Sequence, residues 1–299
     1  MKIIIHKLII KTLSHGFFIS LGVILMVSCT KVIDLNLPVP EDMIVVEGRI
    51  ENGQAPFVML TRNQPYFGGL DLNNYEQYFI SGATVTVWTD SDTVVLDSLN
   101  FPLNDSISIP VYTTFSNFKG ELNTTYYLKV EAEGKVLTSH TTIPQLNPLD
   151  SIWVVPHPIP DQYDSLVSLY ARYDDPDTPG NYVRYFTKRN SEDFKPGRNS
   201  ALNDKFINSL IFDFRLERGQ YRSDEFDIET YGFFWKGDTV TVKWSAIDFS
   251  HYKFWITLED EMNTSGPVSS NIVVDGNIEG GLGIWGGYAA AFQTIIIPE

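Results

Sequence analysis

Two β-sandwich domains, the second carrying one helix, are what this sequence predicts, on three observations. Short runs rich in Val, Thr, Tyr and Ile recur along most of the chain with a period of two. Clusters of Gly, Asn, Asp and Pro bound those runs, as the turns between antiparallel strands require. One stretch only, close to the C-terminal end, changes to convincing helical spacing.

The chain begins with a segment of another kind. Lys2, Lys7 and Lys11 precede an apolar run, FFISLGVILMVSC from Phe17 to Cys29, too short to span a membrane as a mature helix. Residues 1–28 are therefore expected to be a secretory signal peptide, with Ser28-Cys29 as a lipobox and Cys29 as the acylated N-terminus of the mature chain. Cys29 is the single cysteine, so the mature chain is expected to hold no disulfide, no thiol nucleophile and no thiolate metal site. Residues 29–42 read as a tether whose prolines favour extended backbone.

The strands come next. MIVVEGRIE (43–51), PFVMLTR (56–62), ATVTVWT (83–89), 93–99, TYYLKVE (125–131) and 136–142 alternate apolar and polar residues, and Glu133-Gly134 marks a hairpin turn. Together they predict an N-terminal sandwich over 43–145, immunoglobulin-like or fibronectin-like. IPQLNPL (143–149) is the expected boundary. Beyond it DSIWVV (150–155), SLVSLYARY (165–173), YVRYFTKR (182–189), SLIFDFRL (209–216), TVTVKWS (239–245) and FQTIIIP (292–298) predict a second β-rich domain over 146–299. Its helix is expected over 249–262, with Asp248 as N-cap and Phe249, Tyr252, Ile256 and Glu259 sharing a face beside Trp255.

Charge narrows the function. The formal net charge is −15, and loss of 1–28 removes three lysines and no acid. So acidic a surface argues against nucleic acid and against docking on anionic lipid by charge, which leaves the acyl chains as the membrane attachment.

Several groups are candidates for chemistry, each with a plainer alternative. Asp174, Asp175 and Asp177 in DDPDTPGN offer oxygen ligands to calcium, or form a strand-connecting turn whose acids face water. Gly281, Gly283 and Gly286 fit the GxGxxG spacing, but without a strand before and a helix after them they are expected to serve close backbone packing near Trp285. His140, His157 and His251 belong to no local hydrolase or metalloprotease signature. Tyr66, Phe67, Tyr75, Tyr78 and Phe79, in a loop too long and aromatic for a plain turn, are candidates for stacking on a ligand or partner, as are Trp153, Trp235 and Trp285, unless these rings are core. Thr93, Ser98, Ser106, Ser151, Ser165 and Thr239 each follow an Asp and precede an aliphatic residue, a pattern similar to the O-glycosylation acceptor of exported Bacteroidota proteins or simply to the start of a strand.

The order of landmarks resembles a known family. SCTKVIDL, VVEGRIENGQAPFVMLTRNQPYF (45–67), ISGATVTV (80–87), TIPQ (142–145), DDPDTPGNYVRY (174–185) and SSNIVVDGNIEGGLGIWGGY (269–288) are similar to the Bacteroidota lipoproteins of domain of unknown function 4249. The resemblance implies an outer-membrane lipoprotein, often encoded near TonB-dependent receptors, and supplies no catalytic or binding residues. The expectation is a non-catalytic accessory bound to the outer membrane by its lipid, partnered with a TonB-dependent receptor or a glycan or peptide ligand, and using no cofactor or metal. The alternatives are a free-standing carbohydrate-binding surface lipoprotein and, behind it, a hydrolase whose triad forms only in space. The leaflet that the protein faces stays open.

Overall fold

Alternate burial along many of the strands is the feature that builds the structure. The computed structural model describes residues 42–64, 72–102, 107–159, 161–221, 223–264 and 273–299. The first half contributes β1 (Ile44–Glu51), β2 (Phe57–Arg62), β3 (Thr84–Trp88), β4 (Thr93–Val95), β5 (Asp97–Pro102), β6 (Ser108–Thr113), β7 (Thr124–Ala132) and β8 (Lys135–Ile143). The second contributes β9 (Ser151–Pro156), β10 (Leu166–Asp174), β11 (Tyr182–Arg189), β12 (Lys195–Asn203), β13 (Ile211–Leu216), β14 (Phe234–Trp235), β15 (Thr239–Ile247) and β16 (Leu282–Ile296). A helix, α1 (Phe249–Thr264), lies between β15 and β16, and a short 3-10 segment covers Leu72–Tyr78. The fold is mainly β, as the sequence predicts.

One long sheet runs in the order β12-β11-β15-β16-β1-β2-β6-β5, and two four-stranded sheets accompany it: β4-β3-β7-β8, and β10 with β13, β14 and β9. Trp285 and Ala289 of β16 enter the first core, with Val46, Val85, Leu128 and Leu137, while Ile295 packs against the second, with Leu169, Phe234, Val242 and Trp244. These three β16 residues have the same parity, so both small sheets cover one face of the long sheet. Gly286, of opposite parity, faces His251 of α1. The helix therefore covers the other face.

Ile143 belongs to the first core and Leu149 to the second, so the proline-flanked stretch 143–149 runs between two cores. The long sheet nevertheless passes through both regions, because β16 pairs in parallel with β1, Gly48 opposite Trp285. Residues Glu41–Glu299 form one compact unit.

The last strand is much longer than FQTIIIP alone, because the glycine-rich stretch before it is strand too. Its glycines are there for closeness. A Cβ on Gly281 would lie 2.2 Å from Leu137, and one on Gly286 2.4 Å from the His251 ring. Gly283 has φ +105, and a Cβ there would meet the Val46 carbonyl at 2.0 Å. Lack of apolar alternation hid this strand, since its packing is made by backbone instead of side chains. β6 and β12 were hidden likewise by Pro110, Pro196 and Gly197. Glu133 and Gly134, with φ of 54 and 75, make the expected two-residue hairpin between β7 and β8.

Candidate functional site

The helix that covers the long sheet is anchored first at its start. Asp248 Oδ1 accepts the His251 backbone N–H at 2.8 Å, the N-cap that the sequence predicts. Its Oδ2 accepts the Thr142 N–H at 2.9 Å and the Thr141 hydroxyl, which ties α1 to β8. The buried side of α1 corrects the expected face. Phe249 is exposed, and among the described side chains of α1 the two buried ones are the titratable His251 and Glu259.

These polar groups are buried because the sheet beneath them is polar at the same place. Between the pairs Arg184–Ala201 and Phe186–Pro196 the β11–β12 ladder shifts register, so that one residue on β11 faces an arc of β12. The Ser200 N–H, in the arc, and the Ala201 N–H both turn to the helix. Glu259 Oε2 accepts both, at 3.0 and 3.3 Å, and Oε1 accepts the Ser200 hydroxyl. Ser200 Oγ in turn accepts Arg184 Nε at 3.1 Å, and Arg184 Nη1 donates to Tyr288 Oη at 2.9 Å. The guanidinium lies over the Trp255 ring, 3.3 Å from its centroid, and over Phe186 at 4.7 Å. Burial holds the Glu259 carboxyl above its usual range, against the opposing pull of Ser200 and the nearby Arg184.

This network floors a cleft of about 360 Å³ whose walls include Arg198, Tyr221, Asp224, Phe226, Trp255 and Asn263. Arg198 Nε donates to Asn263 Oδ1 at 2.9 Å, and Asp224 accepts Lys195 Nζ at 2.8 Å and the Tyr221 N–H at 2.9 Å. Tyr221 and Phe226 are large exposed rings at its margin. Planar hydrogen-bonding groups beside flat rings make a surface that can hold a polar ligand or a peptide.

His251 is wholly buried, its Nδ1 3.2 Å from the Gly287 carbonyl and its ring edge-on to Tyr288 at 4.5 Å. Burial pushes it down to about 4, with Arg184 adding to the effect and Asp248 opposing it. The unfolded chain takes up this proton below about pH 6.5, while the folded chain does not until about pH 4. Stability contributed here is thus lost as pH falls through that window. Between pH 7 and 4 the loss from this site should be about 3 kcal/mol. Urea unfolding of the protein and His251→Gln at both pH values checks it: the variant should lose that much less on acidification, and parallel losses would reject the assignment.

The remaining candidates lie elsewhere. Asp175 is buried and its carboxylate accepts the Ser209 N–H at 3.3 Å; the turn that holds Asp174 and Asp177 is fastened by Asp204, which accepts Gly180 N at 2.7 Å and Asn181 N at 2.9 Å. Among the described residues no group of three His, Cys, Asp or Glu is placed to hold a metal. Tyr75 accepts the Ser108 N–H at 3.3 Å, and Phe79 bridges to Thr61, so these half-buried rings hold their loop to β6 and β2; Tyr78 is half-buried beside them. Trp285 is core, its Nε1 donating to the Tyr126 carbonyl at 2.9 Å, whereas Trp153 stacks on Tyr170 and Trp235 lies under Arg189. His140 is exposed, and His157 is packed between Tyr163 and Phe233. Thr93, Ser98, Ser151 and Ser165 are exposed and Thr239 is half-buried at the start of β15. Residues 1–28, Cys29, Tyr66, Phe67 and Ser106 lie outside the described residues. No described helix is long and apolar enough to cross a membrane.

Sequence reasoning missed Arg184, Ser200 and Arg198. The one available signal was an arginine alternating with Val183 and Tyr185 in a strand, opposite a helix whose buried residues are ionisable. Fold and cleft define a β-rich protein of three layers, with an open polar and aromatic cleft beside its helix. The chain matches DUF4249, described as a domain of unknown function, over residues 30–294 and belongs to that family. No curated protein matches it.

Proposed function

We propose that this chain is an outer-membrane-anchored lipoprotein that binds a ligand or partner without catalysis, as an accessory to a TonB-dependent transport system. Anchoring rests on the basic start, the short apolar run and the lone Cys29. Binding rests on one observation above all, the cleft whose floor is fixed in advance by the Arg184–Ser200–Glu259 network. The same network argues against catalysis. Ser200 is fully buried, its hydroxyl donating to Glu259 and accepting from Arg184, so it is neither accessible nor activated as a nucleophile. His251, on the same helix as Glu259, is buried edge-on against Tyr288 and neutral near pH 7.

The test is capture of the tagged full chain from gently solubilised outer membranes, beside a variant carrying Tyr221→Ala and Phe226→Ala. A TonB-dependent receptor held stoichiometrically by the first and lost from the second supports the proposal. Capture of nothing, with Cys29 lipidated, counts against the transport role. It favours the second reading, a free-standing glycan binder, which the exposed rings beside Arg198, Asp224 and Asn263 support and which retention on a glycan column would reveal.

The exposed acceptors carry a separate expectation. The intact mass of the membrane-extracted protein should exceed mature peptide plus lipid by at least one glycan, most simply on Thr93, Ser98, Ser151 or Ser165. A mass equal to peptide plus lipid would sink it.

A further inference from the structure

A second cavity, of about 620 Å³, opens at the free edge of β12, where the chain leaves the long sheet for β13. It shares no lining residue with the cleft. Two features of it belong together.

The first is a closed circuit of rings. Tyr173, Phe212, Phe214 and Trp244 all line the cavity, with centroid separations of 6.0 Å for Tyr173–Phe212, 5.3 Å for Phe212–Phe214, 5.6 Å for Phe214–Trp244 and 5.2 Å for Tyr173–Trp244. Phe206, 85% exposed, also belongs to the lining. Ring faces carry negative potential, which draws cations.

The second is a pair of carboxylates without a counter-charge. Asp175 and Asp204 line the same cavity and are 3% and 5% exposed. Among the described residues neither has a basic group within ion-pair distance. Lys205, on the lining too, has its Nζ 5.4 Å from the Phe206 ring centroid. The hydrogen bonds to both acids fall on Oδ2: from Gly180 N, Asn181 N and Asn181 Nδ2 in Asp204, and from Ser209 N in Asp175. Burial, helped by Asp204 and Asp174 and opposed by the Ser209 bond, holds the Asp175 carboxyl above its usual range. Buried carboxylates are normally paired, and these face each other's field unpaired.

We propose that this cavity binds an organic cation, with an ammonium head between Asp175 and Asp204 and an apolar body against the rings. A bare metal ion is served poorly, because most of the wall is apolar and the described residues offer no third acid at the place. An anion is repelled by both carboxylates and by a chain of net charge −15, which steers cations inward. The volume suits a molecule of one ring and a short amine arm, with room to spare.

Isothermal titration of the full chain with benzyltrimethylammonium, phenethylamine and the neutral 2-phenylethanol tests this. Both cations should bind saturably, and the neutral alcohol at least about tenfold more weakly. Asp204→Asn, which keeps an oxygen for Gly180 and Asn181, should weaken the cations about tenfold. Phe206→Ala, at an exposed position that the fold does not need, should weaken them without changing the unfolding midpoint. Equal binding of alcohol and amine, no saturable binding of either cation, or stoichiometric calcium binding without ammonium binding would each overturn the proposal. The Tyr221→Ala, Phe226→Ala variant should titrate like the parent, so this cavity and the cleft succeed or fail separately.

Discussion

Trp285→Ala should lower the unfolding free energy by about 3–5 kcal/mol, the largest loss expected from any single substitution here. Trp285 is fully buried where β16 pairs with β1 and β7 crosses above, so its ring fills space between the long sheet and the first small one. Alanine leaves a cavity there, and it also strips the Tyr126 carbonyl of its indole donor. The Gly48 Cα sits opposite, where a Cβ would come within 2.7 Å of the ring, so the partner strand is already shaped to this one side chain. Urea unfolding followed by far-UV circular dichroism measures the change; a loss below about 1 kcal/mol would mean that the two sheets are not held together at this point.

Arg184→Ala should cost about 3 kcal/mol and open the floor of the cleft. Three partners lose their donor or cation at once: Ser200 Oγ, Tyr288 Oη and the Trp255 ring. Glu259 meanwhile stays buried without its neighbouring positive charge. Arg184→Lys keeps the charge but cannot reach both oxygens in the planar geometry of the guanidinium, so it should fall between the two. If alanine and lysine were equally costly, the planar contacts would matter and the charge would not; if neither cost more than about 0.5 kcal/mol, the network would not set the cleft's shape.

Much of the scaffold was legible because its strands obey the period of two. TYYLKVE and the Glu133-Gly134 turn specify β7 and β8 almost residue by residue, and Asp248 announces the helix. What was not legible depends on partners distant in the chain. The first half of β16 does not read as a strand, because the glycines in it and just before it are selected by the Val46 carbonyl, Leu137 and the His251 ring, none of which is local. The joining of the two regions into one sheet follows from a parallel pairing between the first and last strands, which no local pattern encodes. The cleft was hidden for the opposite reason to the core. Its key residues are ionisable groups at inward positions, where hydropathy assigns solvent, and only the packed structure shows Arg184 and Glu259 satisfying one another's neighbours.

The most direct test of the cleft as the working surface is photocrosslinking in cells. A photoreactive residue placed at Phe226, on the cleft margin, should yield a discrete adduct with its occupant, while the same residue at the exposed Phe115, beyond β6 near the other end of the long sheet, should yield none. Labelling that is absent at Phe226, or no stronger there than at Phe115, would contradict the account.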